Sequence, residues 1–483
     1  MRVLHVASEL APFAESGGLA DVLAGLPAAQ TTGHGLAVAV LVPLYREAAP
    51  RVRAAGVELD AGAPITIELG PHAFPGAIRL GAARGVRLAF LDCPALYDRD
   101  GLYGPPGGGD FADNHLRFGA LGKAALTAAN LTLGGPPDVL HVHDWQGAAA
   151  AIYARLAHAP SRIVATIHNL AYRGLFAKAA LAELGLPWSL FTADVAEFYD
   201  QLSLLKAGLA LADAVTTVSP SYAREILTPE RGEGLHGFLR WKVKRLVGIV
   251  NGIDAAAYNP ATDPALAATF TADRLAGKAR CRIALADELG LPVADDEALI
   301  GVVARMTDQK GLDLVAELVP ELARLGARLA VLGSGDGELE RRFTWLAGVF
   351  REHVAVRIGF DRALARRIYA GSDLFAMPSR FEPCGLGQLY AMRYGAVPVV
   401  HAVGGLRDTV LDPGDGELAA GRGTGLRFQP ATPVAFARAI ERGVRLVRDR
   451  PALATVRRAA MARDSSWFAS AEDYIQLYRS LVG

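Results

Sequence analysis

The sequence predicts an α/β protein made of two doubly wound domains that face each other across a deep cleft. Two observations lead there. Short apolar runs alternate with longer amphipathic stretches, the rhythm of parallel sheets covered on both faces by helices. That rhythm lapses once, near residue 252, and then restarts. The length and apolar content fit two cores: 483 residues are long for one domain, and 51% of them are AVILMFWYC.

In the first half, strands are expected at 3–8, 36–42, 139–144, 163–168, 214–218 and 248–250, with a helix at 20–30 that stops near Gly33. The break is Asn251-Gly252-Ile253-Asp254 followed by Tyr258-Asn259-Pro260, where turn residues cluster. Beyond it, strands are expected at 298–305, 328–332, 354–358, 374–377 and 397–401. Helices are expected at 312–325, 338–350, 362–370 and 387–394. An amphipathic helix at 466–482 offers Trp467, Tyr474, Leu477 and Tyr478 for docking. The expected domains are therefore 1–251, with 466–483 packing back on it, and 252–465. One Gly/Pro-rich stretch, 98–113, is a long loop of the kind that is either functional or disordered.

Composition excludes several classes. Lys+Arg and Asp+Glu both number 50, so general nucleic-acid binding has no electrostatic basis, though a local basic pocket for phosphates remains allowed. Cys93, Cys281 and Cys384 make neither a disulfide framework nor a metal quartet. Residues 1–8 read as a buried strand rather than a secretory leader, and no run reaches the roughly 18 apolar residues a membrane span needs. A soluble, cytoplasmic protein is expected.

Chemistry concentrates where strands give way to helices. Arg305 and Lys310 lie between an expected strand and helix, a fork and a point charge suited to phosphate oxygens. In Ser379-Arg380-Phe381-Glu382-Pro383-Cys384-Gly385-Leu386-Gly387, the proline holds Glu382 extended, and Gly385 and Gly387 leave amides accessible. A carboxylate beside phosphate-binding amides suits the hydroxyls of a sugar attached to that phosphate. Gly17-Gly18 can bring amides to a phosphate or can form a plain strand-to-helix turn; Gly404-Gly405 is equally open. His141 and His143 share a strand face, which raises a metal site, but no carboxylate or Cys at ligand spacing completes one. Asp144, Trp145 and His168 fit hydrogen bonding and stacking against a sugar. Phe360 fits either a stacked base or the core.

These residues carry a resemblance. Ser16-Gly17-Gly18-Leu19-Ala20-Asp21-Val22, Leu96-Tyr97-Asp98-Arg99, His143-Asp144-Trp145, His168-Asn169-Leu170-Ala171-Tyr172, Val250-Asn251-Gly252-Ile253-Asp254, Arg305 with Gln309-Lys310-Gly311, and Pro378 to Leu386 run in order along nearly the whole chain. Together they resemble the bacterial glycogen synthase and plant starch synthase family. The resemblance implies a GT-B fold, retaining transfer of glucose from ADP-glucose to an α-1,4-glucan, and no metal or other cofactor. It implies that Arg305 and Lys310 hold the donor diphosphate and Glu382 the glucose. Amides around Gly17, Gly18 and Cys384–Leu386 would complete the phosphate cradle, with Gly404 and Gly405 nearby. His168 and Asp144 would contact the sugar, with Asn251, Tyr97 and Trp145 in the same region. Two departures stand out: Glu15 replaces the family's usual Lys before its Gly-Gly, and Val403 stands where a Thr is frequent. A different acceptor, or a glucan-binding relative without activity, are the alternatives. A nicotinamide enzyme is disfavoured, since no G-x-G-x-x-G follows the first strand.

Overall fold

The computed structural model describes residues 1–106 and 108–483; Gly107, within the Gly/Pro-rich loop, lies outside the described residues. The chain forms two compact units, Met1–Gly252 together with Trp467–Gly483, and Ile253–Ser466.

The first unit is built on a nine-stranded sheet. Its strands are β1 (Arg2–Val6), β2 (Ala37–Pro43), β3 (Ala63–Leu69), β4 (His72–Ala83), β5 (Val86–Asp92), β6 (Val139–His143) and β7 (Arg162–Ile167). After a small antiparallel sheet of β8 (Leu175–Ala177), β9 (Glu197–Phe198) and β10 (Gln201–Ser203), it continues with β11 (Ala214–Thr217) and β12 (Leu246–Gly248). The order is β12-β11-β7-β6-β1-β2-β5-β4-β3, parallel except where β4 runs against both neighbours. β1 is fully buried from Val3 onward, as a central strand with both faces covered must be. Strand order reverses between β1 and β6, which are direct neighbours.

The helix Trp467–Val482 completes this unit. Tyr474, Ile475 and Tyr478 have no exposed surface. Gly25 is required beneath it, because a Cβ there would lie 2.0 Å from the Trp467 Nε1. The helix expected at 20–30 runs from Gly18 to Ala28 and continues as a π turn, Ala29–Gly33.

The second unit holds six parallel strands: β13 (Ala298–Val303), β14 (Ala327–Gly333), β15 (Val354–Ile358), β16 (Leu374–Met377), β17 (Val397–His401) and β18 (Leu426–Phe428). Their order, β15-β14-β13-β16-β17-β18, is the dinucleotide-fold order, in which the chain winds outward in both directions from the first and fourth strands. Asp373, at 1% exposure, ties this sheet to its helices: its carboxylate accepts from the Leu299 amide, Arg282 Nε and Arg457 Nη2 at 3.0, 3.0 and 2.7 Å. Burial works against the charged form of Asp373, yet the two guanidiniums outweigh it and hold the pKa below the usual carboxylate value. The helix expected at 312–325 breaks into Leu312–Leu318, a 3-10 turn Val319–Glu321 and Leu322–Leu325. Pro320 lies at that break and cannot donate the helical hydrogen bond.

Candidate active site

In the second unit the loops after β13 and β16 lie side by side, because those strands are neighbours at the point where strand order reverses. Such a switch point opens a crevice at the carboxyl ends of the strands. The two loops are joined by main chain and side chain: Arg380 N donates to Gln309 O at 2.8 Å, and Gln309 Nε2 to Phe381 O at 3.2 Å. Gly311 permits the approach. It has φ +62°, and a Cβ on it would lie 2.2 Å from Pro378 O. The result is an ion pair of Lys310 Nζ with Glu382 Oε2 at 2.7 Å. Ser379 Oγ donates to the same oxygen at 3.0 Å. Glu382 is 5% exposed, while Arg305, two residues beyond β13, is exposed. Arg380 forms a two-pronged pair with Asp313 at 2.7 and 2.6 Å, so its charge is already committed.

Gly404 and Gly405 turn out to support this loop from behind. Both are buried, and Gly405 N donates to Glu382 O and Pro383 O. Cβ atoms at these positions would lie 2.0 Å from Glu382 O and 2.2 Å from Cys384 O. The Gly405 amide is thus spent within the protein rather than offered to a ligand. Gly385 takes φ +75° over Gln388, whose amide donates to Cys384 O and Gly385 O. Cys384 is buried; Gly385 and Leu386 keep partial exposure. Phe360 is 80% exposed, which removes its core alternative.

In the first unit, the loop after β1 carries Glu15, half-buried, and Ser16, Gly17 and Gly18, all exposed. Its shape is set by Glu9, which the motif reading passed over. Glu9 is 3% exposed and accepts from Ser16 N at 2.7 Å, Ser16 Oγ at 2.7 Å, Gly17 N at 3.3 Å and Tyr103 Oη at 2.5 Å. The Gly17 amide therefore faces a carboxylate, whereas Gly18 opens the following helix. Its one sequence signal was its place directly after the first apolar run. Near it, Tyr103 is held by the same contact, Arg99 pairs with Asp113, and Leu102 O accepts from Arg117 Nη1.

Asp144 and His168 stand at the ends of β6 and β7 and are joined. Asp144 has φ +50°, and its Oδ1 accepts from His168 N at 2.7 Å. Burial pushes its carboxyl up to about 7, against the His168 and Asn169 amides that favour the charged form. Asp144 thus holds the His168 main chain. Burial lowers the His168 imidazole to about 3, so it is neutral. Asn251 is 6% exposed, and its Oδ1 has no hydrogen-bond partner among the described residues. Tyr97 differs from the expectation of a substrate contact. It has no exposed surface, its hydroxyl donates to Arg117 O at 2.5 Å, and it serves packing. Trp145 is 8% exposed and packs edge-on against Phe118 and Phe176.

His5, paired with His141 across β1 and β6, joins the two expected strand histidines. Ring nitrogens of His5, His141 and His143 fall within 4.8 Å of one another. Both nitrogens of each ring already have protein partners. A cavity of about 840 Å³ in the first unit, bordered by Tyr45, Arg46, Arg79 and Asp92, contains none of the expected site residues.

Comparison with known proteins bears on the family and the fold. Residues 2–241 match the family described as starch synthase catalytic domain, and residues 297–445 match glycosyl transferases group 1. The glycogen synthase of Anaeromyxobacter dehalogenans (strain 2CP-C) is 48% identical over 490 residues, covering 100% of both chains. That of Roseobacter denitrificans is 44% identical over 488 residues, again covering 100% of both. The catalytic domain of starch synthase IV from Arabidopsis thaliana, solved bound to ADP and acarbose, superposes with a TM-score of 0.89 at 34% identity and 99% coverage of each chain. A sucrose-phosphate synthase from Thermosynechococcus elongatus, at 20% identity and a TM-score of 0.58, shares the fold. With full-length identity of this order, and with the two switch-point loops built as described, the chain belongs to the glycogen synthase and starch synthase family of GT-B glycosyltransferases.

Proposed function

We propose that the chain transfers glucose from ADP-glucose to the non-reducing end of an α-1,4-glucan, with retention at the anomeric carbon. In this reading Ile253–Ser466 binds the nucleotide sugar and the first unit takes the acceptor. The observation that carries it is the Lys310–Glu382 pair at a strand-order switch point, with exposed Arg305 in the same loop as Lys310, two residues beyond β13. A cation and a carboxylate at that spacing suit a ligand with an anionic half and a hydroxyl-bearing half. Arg305 and Lys310 bind the diphosphate, amides of Cys384–Leu386 and Gly18 add to the cradle, and Glu382 orders the glucose through its hydroxyls. His168 and Asn251 contact the same sugar, and Asp144 positions His168.

Glycosyl transfer develops positive charge on the ring and negative charge on the departing diphosphate, which preorganised cations and amides stabilise. The bond from C1 to the diphosphate oxygen breaks as the acceptor oxygen attaches to C1 on the same face. The acceptor proton passes to the departing diphosphate. No protein carboxylate then needs to act as a nucleophile, unlike in retaining hydrolases. A glucosyl group found attached to a carboxylate of the chain would contradict this route.

The test supplies ADP-glucose or UDP-glucose with glycogen, following both nucleotide release and incorporated glucose. ADP release matched by glucan extension is expected. Glycogen binding with no nucleotide release would identify a glucan-binding protein instead.

A further inference from the structure

The buried histidines of the first unit form a chain with a direction. Gln30, at 0% exposure, places its amide nitrogen 3.2 Å from Tyr478 Oη and its carbonyl oxygen 2.8 Å from His5 Nε2. A carbonyl oxygen only accepts, so His5 carries its proton on Nε2 and presents a bare Nδ1. His143 Nε2 lies 2.9 Å from that Nδ1 and must donate to it, which leaves His143 Nδ1 bare. His168 Nε2, 2.9 Å away, must donate in turn. The other branch agrees: the Tyr478 hydroxyl, receiving from Gln30, donates to His141 Nδ1 at 2.6 Å, and His141 Nε2 donates to Thr166 Oγ1 at 2.5 Å. A metal ion at the three histidines would have to break these bonds.

We propose that Gln30, His5 and His143 are positioning residues that act through His168. Anchored by Tyr478 of the last helix, they hold its imidazole as the Nε2–H tautomer, with Nδ1 kept as a hydrogen-bond acceptor. Resting on the transferase reading above, that nitrogen accepts a hydrogen bond from a hydroxyl of the donor sugar at the carboxyl end of β7, with no proton transferred. Asp144 fixes the main chain of His168, and the relay fixes its ring chemistry. The nitrogen bonded inside a protein decides what the other can do. Reversing Gln30 would reverse every proton in the line.

The experiment is 15N–1H correlation spectroscopy of histidine-labelled full chain, with the His168 signals assigned through His168→Gln. Wild type should show the Nε2–H tautomer at His168. In Gln30→Met, of similar volume, and in Tyr478→Phe, which loses one oxygen, the two tautomers should mix. The kcat should fall roughly tenfold with donor KM little changed, the scale of one lost hydrogen bond. An unaltered His168 tautomer in both variants, or a mixture in wild type, overturns the proposal. A tautomer that responds to both variants in a chain that never turns over ADP-glucose sustains the relay and refutes the transferase reading.

Discussion

Replacing Lys310 with Met tests whether the resting site is held by its own ion pair. Lys310 Nζ and Glu382 Oε2 are 2.7 Å apart, with side chains 17% and 6% exposed. At that distance the attraction is about 6 kcal/mol for an effective dielectric of ~20, and desolvation of both groups offsets most of it. Removing the ammonium leaves the carboxylate buried, with Ser379 Oγ still donating to it. The net cost should be about 3 kcal/mol, below the full penalty for a stranded charge because that donor remains. For a unit of this size, that lowers its Tm by roughly 6–12 °C. Lys310→Met/Glu382→Gln removes the stranded charge and should recover about 2 kcal/mol of the loss. Scanning calorimetry of wild type, both single variants and the double closes the cycle. Additive shifts, or a single variant that melts with wild type, would refute the reasoning. Transfer should be lost in all three variants, so stability is the informative measurement.

Other positions probe other links. Glu15→Lys restores the family's usual charge and should lower the donor KM about fivefold or more, the order of about 1 kcal/mol at a diphosphate. An unchanged KM would mean that this side chain does not face the phosphates. Gly404→Ala pushes against Glu382 O and should reduce kcat by about a hundredfold through displaced geometry. A fully active variant would show that the loop yields. Asp373→Asn should cost about 3–5 kcal/mol in urea unfolding, since it leaves two buried guanidiniums without their anion. Asp144, pushed to about 7, keeps a proton that the unfolded chain releases near 4. It therefore costs the fold stability as the pH rises from about 4 to about 7. Asp144→Asn should gain on wild type by about 2 kcal/mol between pH 5 and 8, less than the full shift because the side chain is partly exposed. A pH-independent difference in Tm would refute the raised pKa.

The central parallel strands were legible because both their faces are buried, so they read as unbroken apolar runs such as Val38–Val42. The edge of the first sheet was not. β3 and β4 alternate between exposed and partly buried residues, and β4 is rich in Ala and Gly, which favour strands weakly. The switch-point loops could be found because chemistry and turn residues coincide there. What sequence spacing could not supply was register. His141 and His143 show their shared face in a single strand, but His5 joins them only through the pairing of β1 with β6. Gln30 and Tyr478 are 448 positions apart and meet across the helix that ends the chain. Glu9 was missed for another reason: its partners are mostly main-chain and hydroxyl donors, which leave no motif. Gly404 and Gly405 look like amides awaiting a phosphate, and only the neighbouring loop shows why they lack side chains.

The return of Trp467–Gly483 to the first unit sets an order of events during synthesis. Gly25, Gln30 and His141 leave the ribosome early, yet the Trp467 and Tyr478 that pack on them emerge only after all of Ile253–Ser466. At ~5–20 residues per second that delay is about 10–40 s. During that time the nascent first unit carries an uncovered apolar face, while the second unit is free to fold. A stop codon late in the message would therefore do its damage at the beginning of the protein.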